Sequence, residues 1–236
     1  MDQELDEVWA QHALRVEATL DRITHDSIAQ EKENFIIRTL RALPAEQRVG
    51  MRVLDVGCGV GQYVKQAKLL GCNAEGIEIS GRAVEIAINH GLNVRQGDMR
   101  CLPYGDTVFD LVIAGGSMEH FRDTERALRE VRRVLKPNGV LLGNVPYRYT
   151  LFVLAKFAQQ AAGVWKCGYE KSFSMRRWRE LCRECGFEIT TVERSRYRAG
   201  ERKILGGMLE FADGITNLIG LGGHHIFFAA QASVIR

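Results

Sequence analysis

The sequence predicts an α/β protein built on a doubly wound sheet, and three observations predict it. An apolar strand, Met51 to Val56, runs into glycines at alternate positions, Gly57, Gly59 and Gly61, and then into a helical pattern with Val64, Ala67, Lys68 and Leu70. Further apolar strands, at Ala74 to Ile79, Asn93 to Met99 and Phe109 to Ala114, alternate with helical segments, and the last of them is continuous in the manner of a buried parallel strand. Acidic residues stand at or near the ends of these strands, where a doubly wound sheet carries its ligand groups: Asp55, Glu78 and Asp98.

Length and composition narrow the reading. The 236 residues fit one α/β domain and are enough for a full core. With 46% hydrophobic and 26% charged residues the chain has ordinary globular composition. A net charge of +3 is too small to argue for nucleic acid as a partner. The acidic start, Met1 to Glu7, is unlike a signal peptide, and no apolar run approaches the roughly 18 residues of a membrane span. Six scattered cysteines suggest no disulfide scaffold, so a cytoplasmic location is expected. Cys182-x-x-Cys185 lies on a helical pattern with no second pair or nearby His, which favours packing over metal or redox use, and no metal is expected.

The glycine spacing separates two ligand classes. A dinucleotide loop wants G-x-G-x-x-G facing a pyrophosphate. Here the order is Asp55-x-Gly57-x-Gly59-x-Gly61. An Asp at the mouth of the loop would repel a pyrophosphate and attract a cation. The stretch resembles the first motif of class I S-adenosylmethionine-dependent methyltransferases, whose cofactor carries an α-ammonium and a sulfonium. Three further stretches carry the same resemblance: Gly97-Asp98-Met99 with Leu102-Pro103-Tyr104 after it, Glu119-His120, and Leu135-Lys136-Pro137-Asn138-Gly139. Asn138 replaces a glycine of that last motif, and Asn tolerates the left-handed conformation nearly as well. The match is strong over residues 50 to 145 and holds in outline over 170 to 232, and the group is methyltransferase type 11.

The resemblance implies a Rossmann-like, seven-stranded sheet of order 3-2-1-4-5-7-6 with the last strand antiparallel. It implies a single domain: helices at 1–48, a cofactor-binding core at 49–146, a lid insertion at 147–172, and a C-terminal helix and strands at 173–236. Asp55, Gly57, Cys58, Gly59 and Gly61 would cradle the cofactor, S-adenosyl-L-methionine, which leaves as S-adenosyl-L-homocysteine. Glu78, followed by Ile79, would accept both ribose hydroxyls. Asp98 would accept from the adenine amino group while the Met99 amide serves a ring nitrogen, and Ala114 and Gly115 would let the backbone approach the methionine portion.

The chain in order adds detail. Val8, Trp9, His12, Leu14, Val16 and Leu20 suggest one helix, and Ile28 with Phe35 to Leu43 a second, stopped by Pro44. In the family such helices help to close the cofactor site, and plain packing helices are the other reading. Ser80 and Ser174 are candidate helix N-caps. His120 is a candidate general base or a structural histidine that positions its loop. Residues 147 to 171 depart from the minimal fold. They read as a lid with aromatic walls, Tyr147, Tyr149, Trp165 and Tyr169 among them, or as a helix buried against the domain or a second chain. The basic cluster from Arg194 to Lys203 would meet an anionic substrate or a lipid headgroup, or simply be a solvated loop. The apolar stretch 204 to 223 would cap the pocket or pack against a second copy of the chain, and His224 with His225 would fall close to the pocket.

The expected function is methyl transfer to a small-molecule acceptor by in-line displacement at the sulfonium methyl, with alignment and water exclusion as the protein's main contributions. Three alternatives stay open. One is the same fold with another reaction, such as aminopropyl transfer. Another is a silent module that binds S-adenosylmethionine for regulation. The third is an NAD-linked oxidoreductase, which the glycine spacing and Asp55 disfavour.

Overall fold

The computed structural model describes residues 3–20, 23, 34–163, 169–194 and 225–233. Trp165, His224, the 204–223 stretch and most of the basic cluster after Arg194 lie outside the described residues. Helices α1 (Gln3–Leu20), α2 (Phe35–Ala42) and the short α3 (Ala45–Arg48) precede the sheet. Then come β1 (Arg52–Val56), α4 (Gln62–Leu69), β2 (Asn73–Glu78), α5 (Gly81–Asn89), β3 (Val94–Gln96) and β4 (Phe109–Gly115). A 3-10 turn (Met118–His120), α6 (Thr124–Val134) and β5 (Leu135–Pro146) follow. The described chain closes with α7 (Leu151–Ala161), α8 (Met175–Glu184), β6 (Phe187–Arg194) and β7 (His225–Ala232).

The seven strands form one sheet of order β3-β2-β1-β4-β5-β7-β6, as the resemblance implies. β1 to β5 pair in parallel, and β7 runs antiparallel between β5 and β6. The order reverses between β1 and β4, so the crevice between their carboxyl ends is where a doubly wound sheet binds ligands. Local chemistry explains the elements. Ser80, Asp123 and Ser174 each cap a helix by accepting an amide of the first turn, from Ala83, Arg126 and Arg177. Asn138 takes φ 63° in the Lys-Pro-Asn-Gly turn. That turn is counted within β5 because the ladder already begins at Phe109–Leu135, and the register then shifts before Leu111 meets Val140.

The sheet separates two apolar clusters. Leu54 and Val56 face α6 and α8, together with Trp178, Phe173 and Phe228. Val53 faces the other side, with Phe35, Ile36, Val64, Ala67 and Ala83 from the helices there. Trp178 is fully buried, with its ring about 5 Å from those of Phe173 (4.9 Å) and Phe228 (5.0 Å). Trp178→Ala should therefore destabilise the fold by about 3–5 kcal/mol in urea unfolding, with Trp178→Phe costing clearly less, because a fully packed site cannot collapse around a lost indole.

Candidate active site

A cleft of about 200 Å³ opens at the switch point. Its floor is the glycine loop after β1, with Gly57, Cys58, Gly59 and Val60. One side is the end of β2, Glu78 and Ile79, with Gly97 and Met99 after β3. The other side is the end of β4, Gly115, Gly116 and Ser117, followed by His120 and Phe121. Gln62 and Tyr63 of α4 and Trp9, His12, Ala13 and Val16 of α1 complete the walls. Among the described residues these walls carry no Lys or Arg.

Backbone and side-chain hydrogen bonds fix the loop. Gly57 and Cys58 donate their amides to the Ile77 carbonyl, at 2.8 and 3.1 Å. Ser117 Oγ donates to the Val56 carbonyl at 2.8 Å and pins the end of β4 to the end of β1. A Cβ on Gly57, at φ 68°, would stand 2.5 Å from that of Ser117, so the pinning requires glycine there. A Cβ on Gly59, at φ 55°, would meet nothing within 4 Å, so this part of the cradle is open. Glu78 is buried, and its carboxylate accepts from the Gly59 amide at 2.8 Å and the Ser80 amide at 2.9 Å. Gly61 is the N-cap of α4 and supplies no side-chain cap, which leaves that helix terminus available to an anionic group.

Several expected site residues sit elsewhere than the sequence suggested. Asp55 is not at the cleft mouth. It is 1% exposed, lies on the same face of β1 as Val53, and neither carboxylate oxygen has a hydrogen-bond partner. Its carboxyl is pushed well above the usual range, first by burial and then by the charge of Glu78. Gly61 and Ala114 also lie outside the walls. The Asp98 carboxylate is turned toward Arg100, accepting from its backbone amide (2.8 Å) and from its guanidinium (2.6 Å at the shortest). Burial alone would raise this carboxyl; the hydrogen bonds and charge of Arg100 outweigh that and hold it below the usual range. Cys58 lines the cleft with its thiol pushed up by burial, an apolar wall rather than a reactive group.

Among the described residues of the 147–172 segment, Tyr147, Tyr149 and Tyr169 are not in the walls. The ring of Tyr147, just past the end of β5, packs edge-on against Tyr149 and under the Arg194 guanidinium, and Tyr149 is 53% exposed. Arg122 lies over the Tyr169 ring, while the Tyr169 carbonyl accepts from His120 Nδ1 at 2.9 Å. The described aromatic lining comes instead from Trp9 of α1, Tyr63 of α4 and Phe121. Trp9 meets His120 edge to face with centroids 4.7 Å apart and meets His12 in the same way at 5.3 Å. Sequence reading found α1 as a helix but not Trp9 as a wall, because helical periodicity marks a buried face and not what that face covers.

His120 is 8% exposed, and burial lowers its basicity. A carbonyl can only accept, so the neutral ring donates from Nδ1 to Tyr169 and carries its lone pair on Nε2. That is the form a proton acceptor needs.

Residues 54–143 match the family model described as a methyltransferase domain. Over those residues, under half of the chain, it resembles the class I S-adenosylmethionine-dependent methyltransferases. Among curated relatives it is 39% identical to "Probable tRNA methyltransferase 9B" of Mus musculus over 109 residues, which is 44% of this chain and 23% of that protein. It is 40% identical to sterol 24-C-methyltransferase ERG6B of Gibberella zeae over 100 residues, covering 39% of this chain and 26% of the relative. The chain thus spans about a quarter of the length of these two relatives. In structure, a chain from the complex between the Haloferax volcanii Trm112 methyltransferase activator and a methyltransferase superposes with a TM-score of 0.72. That match covers 98% of this chain and 99% of the other at 20% identity, so it carries the fold. No helix among the described residues is long and apolar enough to cross a membrane.

The methyltransferase fold places Asp55 where its ionisation is opposed. An acid whose folded pKa is raised loses stability as pH climbs from its unfolded value, about 4, toward its folded value. Asp55→Asn removes that loss, so the ligand-free variant should melt higher than the wild type at pH 7 and the difference should shrink toward pH 4, as measured by calorimetric melting across that range.

Proposed function

We propose that the chain transfers a methyl group from S-adenosyl-L-methionine to a small acceptor that carries no negative charge. The observation that carries this reading is the cleft itself: it lies at the switch point, is lined by an acidic strand end, and has no Lys or Arg in its described walls. Such walls suit a cationic sulfur nucleoside and disfavour the pyrophosphate of a dinucleotide. They equally disfavour a polyanionic acceptor, which supports a small molecule over nucleic acid for this chain. The tRNA and sterol names of the relatives describe those proteins, and each match covers less than half of this chain.

The residues present fit the cofactor. Glu78, which accepts the Gly59 and Ser80 amides at the end of β2, would also serve the ribose hydroxyls. The uncapped start of α4 would hold the α-carboxylate. Asp55, buried and unpartnered beneath the loop, would answer the cofactor's positive charge. Ile79 and Met99 would flank the adenine. Asp98, between the lining residues Gly97 and Met99, would serve the adenine amino group with the acceptor capacity that Arg100 leaves.

When bound, S-adenosyl-L-methionine supplies a methyl group already activated on a sulfonium. What remains for the protein is to align the acceptor, exclude water and receive a proton. Trp9 and the rest of the α1 wall cover the cleft, and His120 Nε2 would take the proton that a hydroxyl or amine acceptor must lose.

Two measurements test this. Calorimetry with S-adenosyl-L-homocysteine should show binding to the wild type, about 10-fold or more weaker to Glu78→Gln, since hydrogen bonds to a charged group are worth roughly 1.5–3 kcal/mol. No binding to the wild type would overturn the reading. His120→Gln should leave this affinity within about twofold while lowering turnover with labelled methyl donor by about 10²–10⁴.

A further inference from the structure

Behind the wall of the cleft, beyond β4, lies a carboxyl that neither the fold nor the cofactor accounts for. Glu119 is the middle residue of the 3-10 turn, 3% exposed, and its Oε2 has no hydrogen-bond partner. Its backbone carbonyl accepts from the Lys171 amide at 2.9 Å, which stitches the turn to the segment returning from α7. Lys156 of α7, 3% exposed, reaches the same junction and donates to the Glu170 carboxylate (2.9 Å), the Glu170 carbonyl (2.8 Å) and Ser172 Oγ (3.3 Å). Glu170 therefore balances Lys156, and an ionised Glu119 is one buried negative charge in excess.

Glu119 stands directly behind the cleft wall. A Cβ on Gly116, a lining residue, would lie 3.7 Å from Glu119 Oε1 and 3.7 Å from Asn144 Nδ2. Gly116 thus separates the cleft from this carboxyl by backbone alone. The charged groups acting on Glu119 are Glu170, which opposes its ionisation, and Lys156, which favours it; the next residue is the neutral His120. Burial is the largest influence, and the carboxyl is pushed up to about 8.

We propose that Glu119 recognises the ammonium group of an amine acceptor, so that this protein is an amine methyltransferase. The inference rests on the methyl-transfer reading above and names the acceptor class of the same site. A cation entering past Gly116 supplies the charge the buried cluster lacks, whereas a phenol, alcohol or carboxylate does not. The chemistry closes with the residues in place. Glu119 pairs with the ammonium through one N–H. A second N–H breaks, its proton going to His120 Nε2, and the freed nitrogen lone pair forms the N–C bond as the C–S bond breaks and its electron pair stays on sulfur. The product is a methylated ammonium, still paired with the Glu119 carboxylate, beside an imidazolium and a neutral thioether; the imidazolium then returns its proton to solvent.

The test uses the full chain with labelled methyl donor and four acceptor arms: phenethylamine with butylamine, catechol with a primary alcohol, cinnamate, and total tRNA. Label should enter the amine arm, and Glu119→Gln should lower kcat/KM there by about 10- to 100-fold, the cost of a lost hydrogen bond to a charged group. The KM for the amine should rise as pH falls below about 8, and this dependence should vanish in Glu119→Gln. Independently of turnover, phenethylamine titrated into protein saturated with S-adenosyl-L-homocysteine should bind the wild type and not the variant. An unchanged affinity of Glu119→Gln for S-adenosyl-L-homocysteine shows that it is folded. Label confined to another arm, label in no arm, or an amine arm that Glu119→Gln leaves intact overturns the inference. Failure of the wild type to bind S-adenosyl-L-homocysteine would instead overturn the methyl-transfer reading beneath it.

Discussion

The cleft depends on one carboxylate that ties two loops together. Glu78 sits at the last position of β2 and accepts the amide of Gly59 from one loop and that of Ser80 from the next. The first bond holds the glycine turn in an open shape that no side chain of its own supports. The second sets the start of α5, where the Ser80 hydroxyl then caps Ala83. Both bonds are charge-assisted, the Gly59 bond part-buried and the Ser80 bond buried, a setting in which such bonds are strong and the loss of a partner costly. The parallel pairing of β1 with β2 brings these groups within reach, so the sheet order is a precondition of the site.

Around this tie the protein buries carboxyls that the fold does not need. Asp55 is buried without a hydrogen-bond partner, and Glu119 lacks one at one oxygen. Each of these two groups costs stability in the ligand-free protein. Groups held at such cost cluster where function uses them. A ligand whose charge is positive recovers the cost on binding, and that coupling makes cofactor affinity and protein stability two readings of the same electrostatics.

The sequence revealed most where structure is local. The strand into the glycine loop, the caps at Ser80 and Ser174, and the Asn138 turn follow from residue chemistry within a few positions, and the structure has them all. Strand order came from the resemblance, which encodes long-range pairing that periodicity cannot. The places of Asp55 and Asp98 were not legible. Strand alternation does put Asp55 on one face of β1, but only the helices packed there decide that the face is sealed. Asp98 is turned by Arg100, two residues on, and a charged pair so close in sequence looks the same whether it closes on itself or faces a ligand. Aromatic composition did not tell where Tyr147 and Tyr169 turn. Tyr147 and Tyr169 each satisfy their rings against an arginine, and Arg122 and Arg194 lie 47 residues away from their partners in either direction.

The residues that would hold the cofactor and those that would choose the acceptor come from different parts of the chain. Gly57, Gly59, Glu78 and Met99 all fall within residues 54–143, the part that matches the family model. Trp9 and His12 fall before it, and Lys156, Tyr169 and Glu170 fall after it, yet all five pack around the turn that carries Glu119 and His120 or line the cleft beside it. A shared core can therefore keep its cofactor geometry while the flanking segments change the surroundings of one short turn. His120 illustrates how this works: its ring belongs to the core, but its tautomer is set by a carbonyl from the return segment and its burial by an indole from the first helix. Altering either flank changes what the imidazole can do without touching a residue of the matched core, so the surroundings of this turn are set by segments that the family model does not cover.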